Sequence, residues 1–223
     1  GPLLEEVQIS PEMCSQWLMY VAPLVANATR ANGTFSLDLL RQADIPLGDV
    51  QASTIHGRLT IHSAQIGPGP LAQQTLGLIQ DIRSLANGQH LAAVTAPAPE
   101  VQWMSVPSQE GTFQMTNGRV YNDGLYLVVG DVTVTTRGSV GLDQSLALLA
   151  EIPIRDQWVA SSPYLSSLKG QSLRIPVTGT LSRPNLDRDV LGDLTEKVIG
   201  TPGGTLSQQG IKRVLQRRFG PPR

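Results

Sequence analysis

Across residues 111–181 apolar and polar side chains alternate with a period of two, and no other feature constrains the fold of this chain as tightly. In residues 132–142 the even positions Val132, Val134, Val140 and Leu142 are apolar. Thr133, Thr135, Arg137 and Ser139 between them are polar. Successive side chains of a strand point to opposite faces, so the segment reads as a strand with one dry and one wet face. Leu173, Ile175, Val177 and Leu181 repeat the pattern against Ser172, Arg174, Thr178 and Thr180. Asn117-Gly118, Asp123-Gly124 and residues 141–144 carry the chemistry of tight turns, which predicts reversals between the runs. The expectation is an antiparallel meander.

Aromatic residues make up only 4% of the 223, so the core of such a sheet has to be aliphatic. The net charge of −1 offers no global attraction to nucleic acid, and none is expected as a partner. Cys14 is the single cysteine, which excludes an internal disulfide and a cysteine-rich metal site. No apolar run reaches the roughly 18 residues of a membrane-spanning helix. The chain opens Gly-Pro-Leu without Met, which reads as a fragment with the remainder of a longer chain N-terminal to it.

Helical periodicity flanks the alternating region. Ser10 has the chemistry of an N-cap and Pro11 suits the first helical position. Met13, Trp17, Leu18, Val21, Leu24, Val25 and Ala28 recur at three and four, which predicts one helix ending at Asn32-Gly33. Pro23 inside it predicts a kink between Met19 and Pro23. Strands are expected through Phe35, Leu37 and Leu39, and through Ile55, Leu59 and Ile61. Pro70 opens a second helix through Leu71, Thr75, Leu78, Ile79, Ile82 and Leu85. Residues 87–109 read as a connector with some strand near 101–106, and residues 156–169 as a short helix or loop that packs back through Trp158. Asn185 or Asp187 is expected to cap a helix carrying Leu186, Val190, Leu191, Leu194 and Val198.

No constellation in the sequence carries catalysis. The passage Gly67-Pro68-Gly69-Pro70 between a strand and a helix imitates a dinucleotide-binding turn. Prolines lack the N–H groups that such a turn directs at a pyrophosphate, so it is rejected. His56 and His62 lie six residues apart on one strand, about 20 Å at 3.3 Å per residue, which is too far to share a metal. Gly138-Ser139-Val140-Gly141 is not a nucleophile elbow, because it falls inside the alternating run rather than at a strand-to-helix turn.

Residues 113–154 and 173–187 resemble the C-terminal region of the AsmA-like family of bacterial envelope proteins. Gly138-Ser139-Val140-Gly141-Leu142 fits that family's G-x-(V/I)-x-L element. Ile175-Pro176-Val177-Thr178-Gly179-Thr180-Leu181 fits its terminal element, one residue short before the glycine. The resemblance implies an α+β fold: a twisted, groove-like antiparallel sheet covered by amphipathic helices. It implies one module over residues 1–223, in portions 1–109, 110–184 and 185–223. It implies a periplasmic position on an inner-membrane-anchored protein, with no catalytic residues and no cofactor. The expected function is to bind or channel phospholipid in an apolar groove, or to support outer-membrane assembly. The candidate groove or core face is Val132, Val134, Val140, Leu142, Leu173, Ile175 and Val177. The alternative is a protein-interaction or scaffold domain whose sheet is closed by helices and takes no ligand.

The C-terminal tail adds a second candidate surface. Residues 206–219 predict a helix with Ile211, Val214, Leu215 and Phe219 on one side and Lys212, Arg213, Arg217 and Arg218 beside them. Such a helix suits an anionic membrane surface. Cations near a membrane attract anionic lipid by about 1 kcal/mol each, screened by salt. The chain is therefore expected to float with anionic liposomes at low salt. A variant with all four cations changed to Gln is expected to stay at the bottom of the gradient. Equal flotation of the two would make the tail a structural helix.

Overall fold

The alternation becomes one antiparallel sheet in the computed structural model, which describes residues 3–40, 43, 44, 46, 49–86, 103–129, 131–161 and 169–187. Its strands are β1 (Leu4–Gln8), β2 (Ala31–Leu39), β3 (Ile55–Ile66), β4 (Met104–Val106), β5 (Gln109–Thr116), β6 (Arg119–Val129), β7 (Val132–Gly141), β8 (Leu146–Pro153), β9 (Ser172–Gly179) and β10 (Pro184–Leu186). Each strand lies beside its neighbour in the chain, save that β4 and β5 share one position between β3 and β6. All pairings among these strands are antiparallel. The sheet is the dominant feature, with a few helices against it.

Asn117-Gly118 is the two-residue hairpin turn that the sequence predicts. Both residues have positive φ, +49° and +68°, between the paired Thr116 and Arg119. Asp123-Gly124 is not a turn. It lies inside β6, where the pairing with β7 slips by one residue between Asn122 and Leu125, and Gly124 has φ +75°. The same permissive dipeptide serves a reversal or a bulge, and only the partner strand decides between them. Asn32-Gly33, expected to end a helix, instead lies within β2. A Cβ at Gly33 would collide with the Ser63 carbonyl, so the close approach of β3 requires glycine.

These bulges switch which residues face inward. In β3, Leu59 and Ile61 are buried before the irregularity at His62, and Ala64 and Ile66 after it. In β6, Val120 and Asn122 are buried before Asp123-Gly124, and Leu125 and Leu127 after it. β4 and β5 are one strand interrupted at Pro107-Ser108, opposite the β3 bulge, since Ala64 pairs with Val106 and Ile61 with Gln109. The Gln109 carboxamide repairs the gap. Its Oε1 accepts from the Tyr126 N–H at 2.9 Å and its Nε2 donates to the Tyr126 carbonyl. A side chain thereby satisfies a backbone pair that the ladder leaves open.

The predicted N-terminal helix breaks rather than kinks. It forms α1 (Pro11–Gln16), α2 (Leu18–Val21) and a 3₁₀ turn at Pro23–Val25. Ser10 caps α1, its Oγ accepting from the Met13 N–H at 3.3 Å. Trp17 leaves helical geometry at φ −132°, and Pro23 cannot donate to the preceding turn, so no continuous helix forms. α3 (Pro70–Ala86) begins at the predicted proline, and the Gln73 N–H bonds the Gly69 carbonyl at 2.9 Å. α4 (Asp156–Ser161) buries Trp158. The predicted cap at Asn185 or Asp187 is overturned for Asn185: Pro184–Leu186 continues the sheet as β10, and Leu186 is buried in the core. Val190, Leu191, Leu194 and Val198 lie outside the described residues, as do residues 206–219.

The helices roof one face of the sheet. α2 packs on β6 and β7, and α3 runs from the Pro23–Val25 turn to α4 and β10. The Trp17 and Phe35 rings meet edge to face at 5.1 Å, joining the end of α1 to β2. Buried residues from the helices and the inner face form one apolar cluster. Val134→Asp or Val177→Asp is expected to destabilise the protein by about 3–5 kcal/mol, because each buries an unpaired charge. Thr178→Asp, on the wet face, is expected to cost under about 1 kcal/mol, and Thr135→Asp about 1 kcal/mol more through repulsion from Glu151 opposite it. Urea midpoints that coincide for the two sets would reverse the face assignment.

Candidate functional site

The candidate face is assembled from alternate residues of β7 and β9 with β8 between them. Val132, Val134, Val140 and Val177 are 0% exposed, Ile175 1% and Leu173 5%. Leu142 packs against the same apolar cluster from its edge. It lies beyond the end of β7 in the turn to β8 and is half-buried, and its carbonyl accepts from the Tyr20 hydroxyl at 3.3 Å. The reason is the Gly141–Ser145 reversal, in which the Gly141 N–H bonds the Ser145 carbonyl at 2.8 Å and stops the alternation. Sequence reasoning passed over the middle row, Leu146, Leu148, Ala150 and Ile152 of β8, all of them buried. The neighbouring Ala147 and Leu149 are apolar too, so β8 shows no clean period of two.

α2 and the Pro23–Val25 turn pack against β7, and α3 meets β10. A cavity between the Pro23–Val25 region and the sheet measures about 10 Å³ and is lined by Ala22, Val25, Ile61, Leu125 and Thr136 among others. That is close to the roughly 10–15 Å³ needed for one water and far below the several hundred Å³ of a small-molecule pocket.

The polar groups of the other face hold the hairpins in place. Arg119 donates from Nε to Ser139 Oγ at 2.9 Å and from Nη1 to Ser145 Oγ at 2.8 Å, with Nη2 on the two carbonyls of the same serines. Asp143 accepts the Ser145 N–H at 3.0 Å. The Ser145 hydroxyl and N–H hold its carboxyl below the usual carboxylate range, with help from Arg119. The cluster locks the β7–β8 turn against β6. Asp131 bridges Arg83 at the end of α3 and Arg155 before α4. His62 Nε2 and Ser36 Oγ hydrogen-bond at 2.8 Å, and Ser36 Oγ accepts from the Glu6 N–H at 3.0 Å. Gly138-Ser139-Val140-Gly141 lies inside β7, as the alternation predicts.

Among the described residues no group of three His, Cys, Asp or Glu side chains is placed to hold a metal ion. Among the same residues no helix is long and apolar enough to cross a membrane. The candidate membrane contacts Lys212, Arg213, Arg217 and Arg218 lie outside them. No protein-family model, no curated protein and no solved structure matches the chain.

Cys14 is fully buried in α1. Burial, and then the charge of Glu12, push its thiol from 9.0 up to about 11. The native thiol is therefore expected to resist iodoacetamide at pH 8, while the urea-unfolded chain alkylates readily, as read by intact mass. Because the folded state holds this proton more tightly, the Cys14 contribution to stability is complete below pH 9 and is lost as pH rises toward 11.

Proposed function

We propose that this chain is a non-enzymatic module of the bacterial envelope, related in kind to the AsmA-like C-terminal region, in which helices of the same chain close an apolar sheet face. The observation that carries the reading is the burial of Val132, Val134, Val140, Leu173, Ile175 and Val177 beneath the helical roof. A sheet with one continuous aliphatic face must cover it with protein or with lipid. In this module the cover comes from helices of the same chain.

The closed arrangement favours the scaffold alternative over a phospholipid channel running across these residues. Within a groove-forming envelope protein, such a unit serves as the sealed end at which the apolar lining stops. The bulges in β3 and β6 and the break between β4 and β5 support the finer description of a twisted, groove-like meander, since each bends its strand. The periplasmic setting, the inner-membrane anchor and the phospholipid partner rest on the resemblance of residues 113–187.

Native mass spectrometry of the chain purified from bacterial cells tests the reading. The expected spectrum holds the bare mass of the polypeptide. Phospholipid retained in stoichiometric amount would return the function to an open, lipid-carrying groove.

A further inference from the structure

We propose that β1 is a detachable strand, and that two copies of this chain exchange it, each laying its β1 along the β2 edge of the other. The inference is independent of the function proposed above. No residue of β1 is buried: Leu4 and Val7 are partly covered, and Glu5, Glu6 and Gln8 are exposed. The strand pairs with β2 at Leu4↔Leu37, Val7↔Phe35 and Gln8↔Thr34, and its register shifts between Leu4 and Val7. Glu6 sits in that shift at φ +46°, where a residue with a side chain carries backbone strain. Its N–H bonds the Ser36 hydroxyl oxygen at 3.0 Å instead of a ladder carbonyl. A segment with few buried contacts and exposed hydrogen bonds opens before the rest of a fold.

β2 differs in each respect. It pairs with β3 from Ala31 to Leu39, and Phe35, fully buried, meets the Trp17 ring edge to face. It therefore stays in place when β1 leaves. The edge so uncovered presents the carbonyls of Gly33 and Leu37, which in the closed chain accept from the Ile9 N–H at 2.9 Å and the Leu3 N–H at 2.8 Å. β2 carries one charged residue, Asp38, and no proline, so its edge lacks the features that deter pairing with another strand. β1 supplies those features for it through Glu5, Glu6 and the bulge.

The occupant follows from what the edge already holds. Its carbonyls and the seats of Leu4 and Val7 against the core fit the sequence of β1 itself, so β1 of a second copy makes the same bonds. Ile9 is buried and Ser10 caps α1 directly after it. With no loop between β1 and α1, the exchange brings the two β2 edges face to face in a twofold pair.

Disulfide trapping tests the exchange. Leu4 and Leu37 are directly paired, and such Cα atoms lie about 4.5–5.5 Å apart, within the span of a disulfide. Two chains, both Cys14→Ala, are mixed under mild oxidant, one with Leu4→Cys and the other, ¹⁵N-labelled, with Leu37→Cys. The expected product is a mixed dimer with the summed mass of both chains, returned to monomers by reductant. A chain carrying both substitutions is expected to lose both thiols. Absence of the mixed dimer overturns the proposal, as does a doubly substituted chain that keeps its thiols. So does a mixed dimer that forms equally well when Leu37→Cys is replaced by Val134→Cys, buried on β7.

Discussion

The whole structure depends on keeping one face of a wide antiparallel sheet dry. Side chains alternate with a period of two, so a single inserted residue turns an entire strand inside out unless the sequence switches parity at the same point. β3 and β6 both do so. His62 marks the change from Leu59 and Ile61 to Ala64 and Ile66, and Asp123-Gly124 the change from Val120 to Leu125 and Leu127. The break at Pro107-Ser108 faces the β3 bulge, and Gln109 closes the ladder there with its own carboxamide. Bending of the sheet and burial of its face are therefore one design. Each irregularity that bends a strand is matched by a shift in the hydrophobic pattern.

The N-terminal part of the cover is built from short pieces for a related reason. A straight helix crossing a bent sheet would leave gaps at both ends. Breaks at Trp17 and Ala22 let α1, α2 and the Pro23–Val25 turn follow the surface, while α3 spans toward the far edge at β10. Polar ties fix the ends of α3: Gln74 Nε2 donates to the Pro184 carbonyl at 2.8 Å, and Arg83 meets Asp131. Both sheet edges are blunted. β1 carries Glu5 and Glu6, with Glu6 at φ +46° in an irregular stretch of its pairing, and β10 is three residues long and starts with proline. Charges, bulges and prolines at an edge discourage pairing with another chain.

Much of this was legible in the residues. The alternation of residues 132–141 and 172–179, the Asn117-Gly118 turn, the Ser10-Pro11 cap and the helix opening at Pro70 each follow from local chemistry: side-chain period, positive-φ tolerance, or a missing N–H. The apolar face through Val132, Val134, Val140, Leu173, Ile175 and Val177 was legible for the same reason, because burial on one side of a strand leaves a period-two signature. β8 was not, since its outward positions Ala147 and Leu149 are also apolar.

The sequence by itself thus determined the class of fold and the dry side of β7 and β9, because both depend on a residue and its near neighbours. Tertiary structure alone decided whether Asp123-Gly124 reverses the chain or bulges it, because both conformations need the same backbone freedom and differ only in the partner strand. It alone decided that Pro184–Leu186 extends the sheet instead of leading into a helix, since a three-residue strand exists only through its pairing with β9. It alone decided that the aliphatic face is roofed by helices of the same chain. An apolar stripe records that it must be buried, and the packing of the remaining elements determines what buries it.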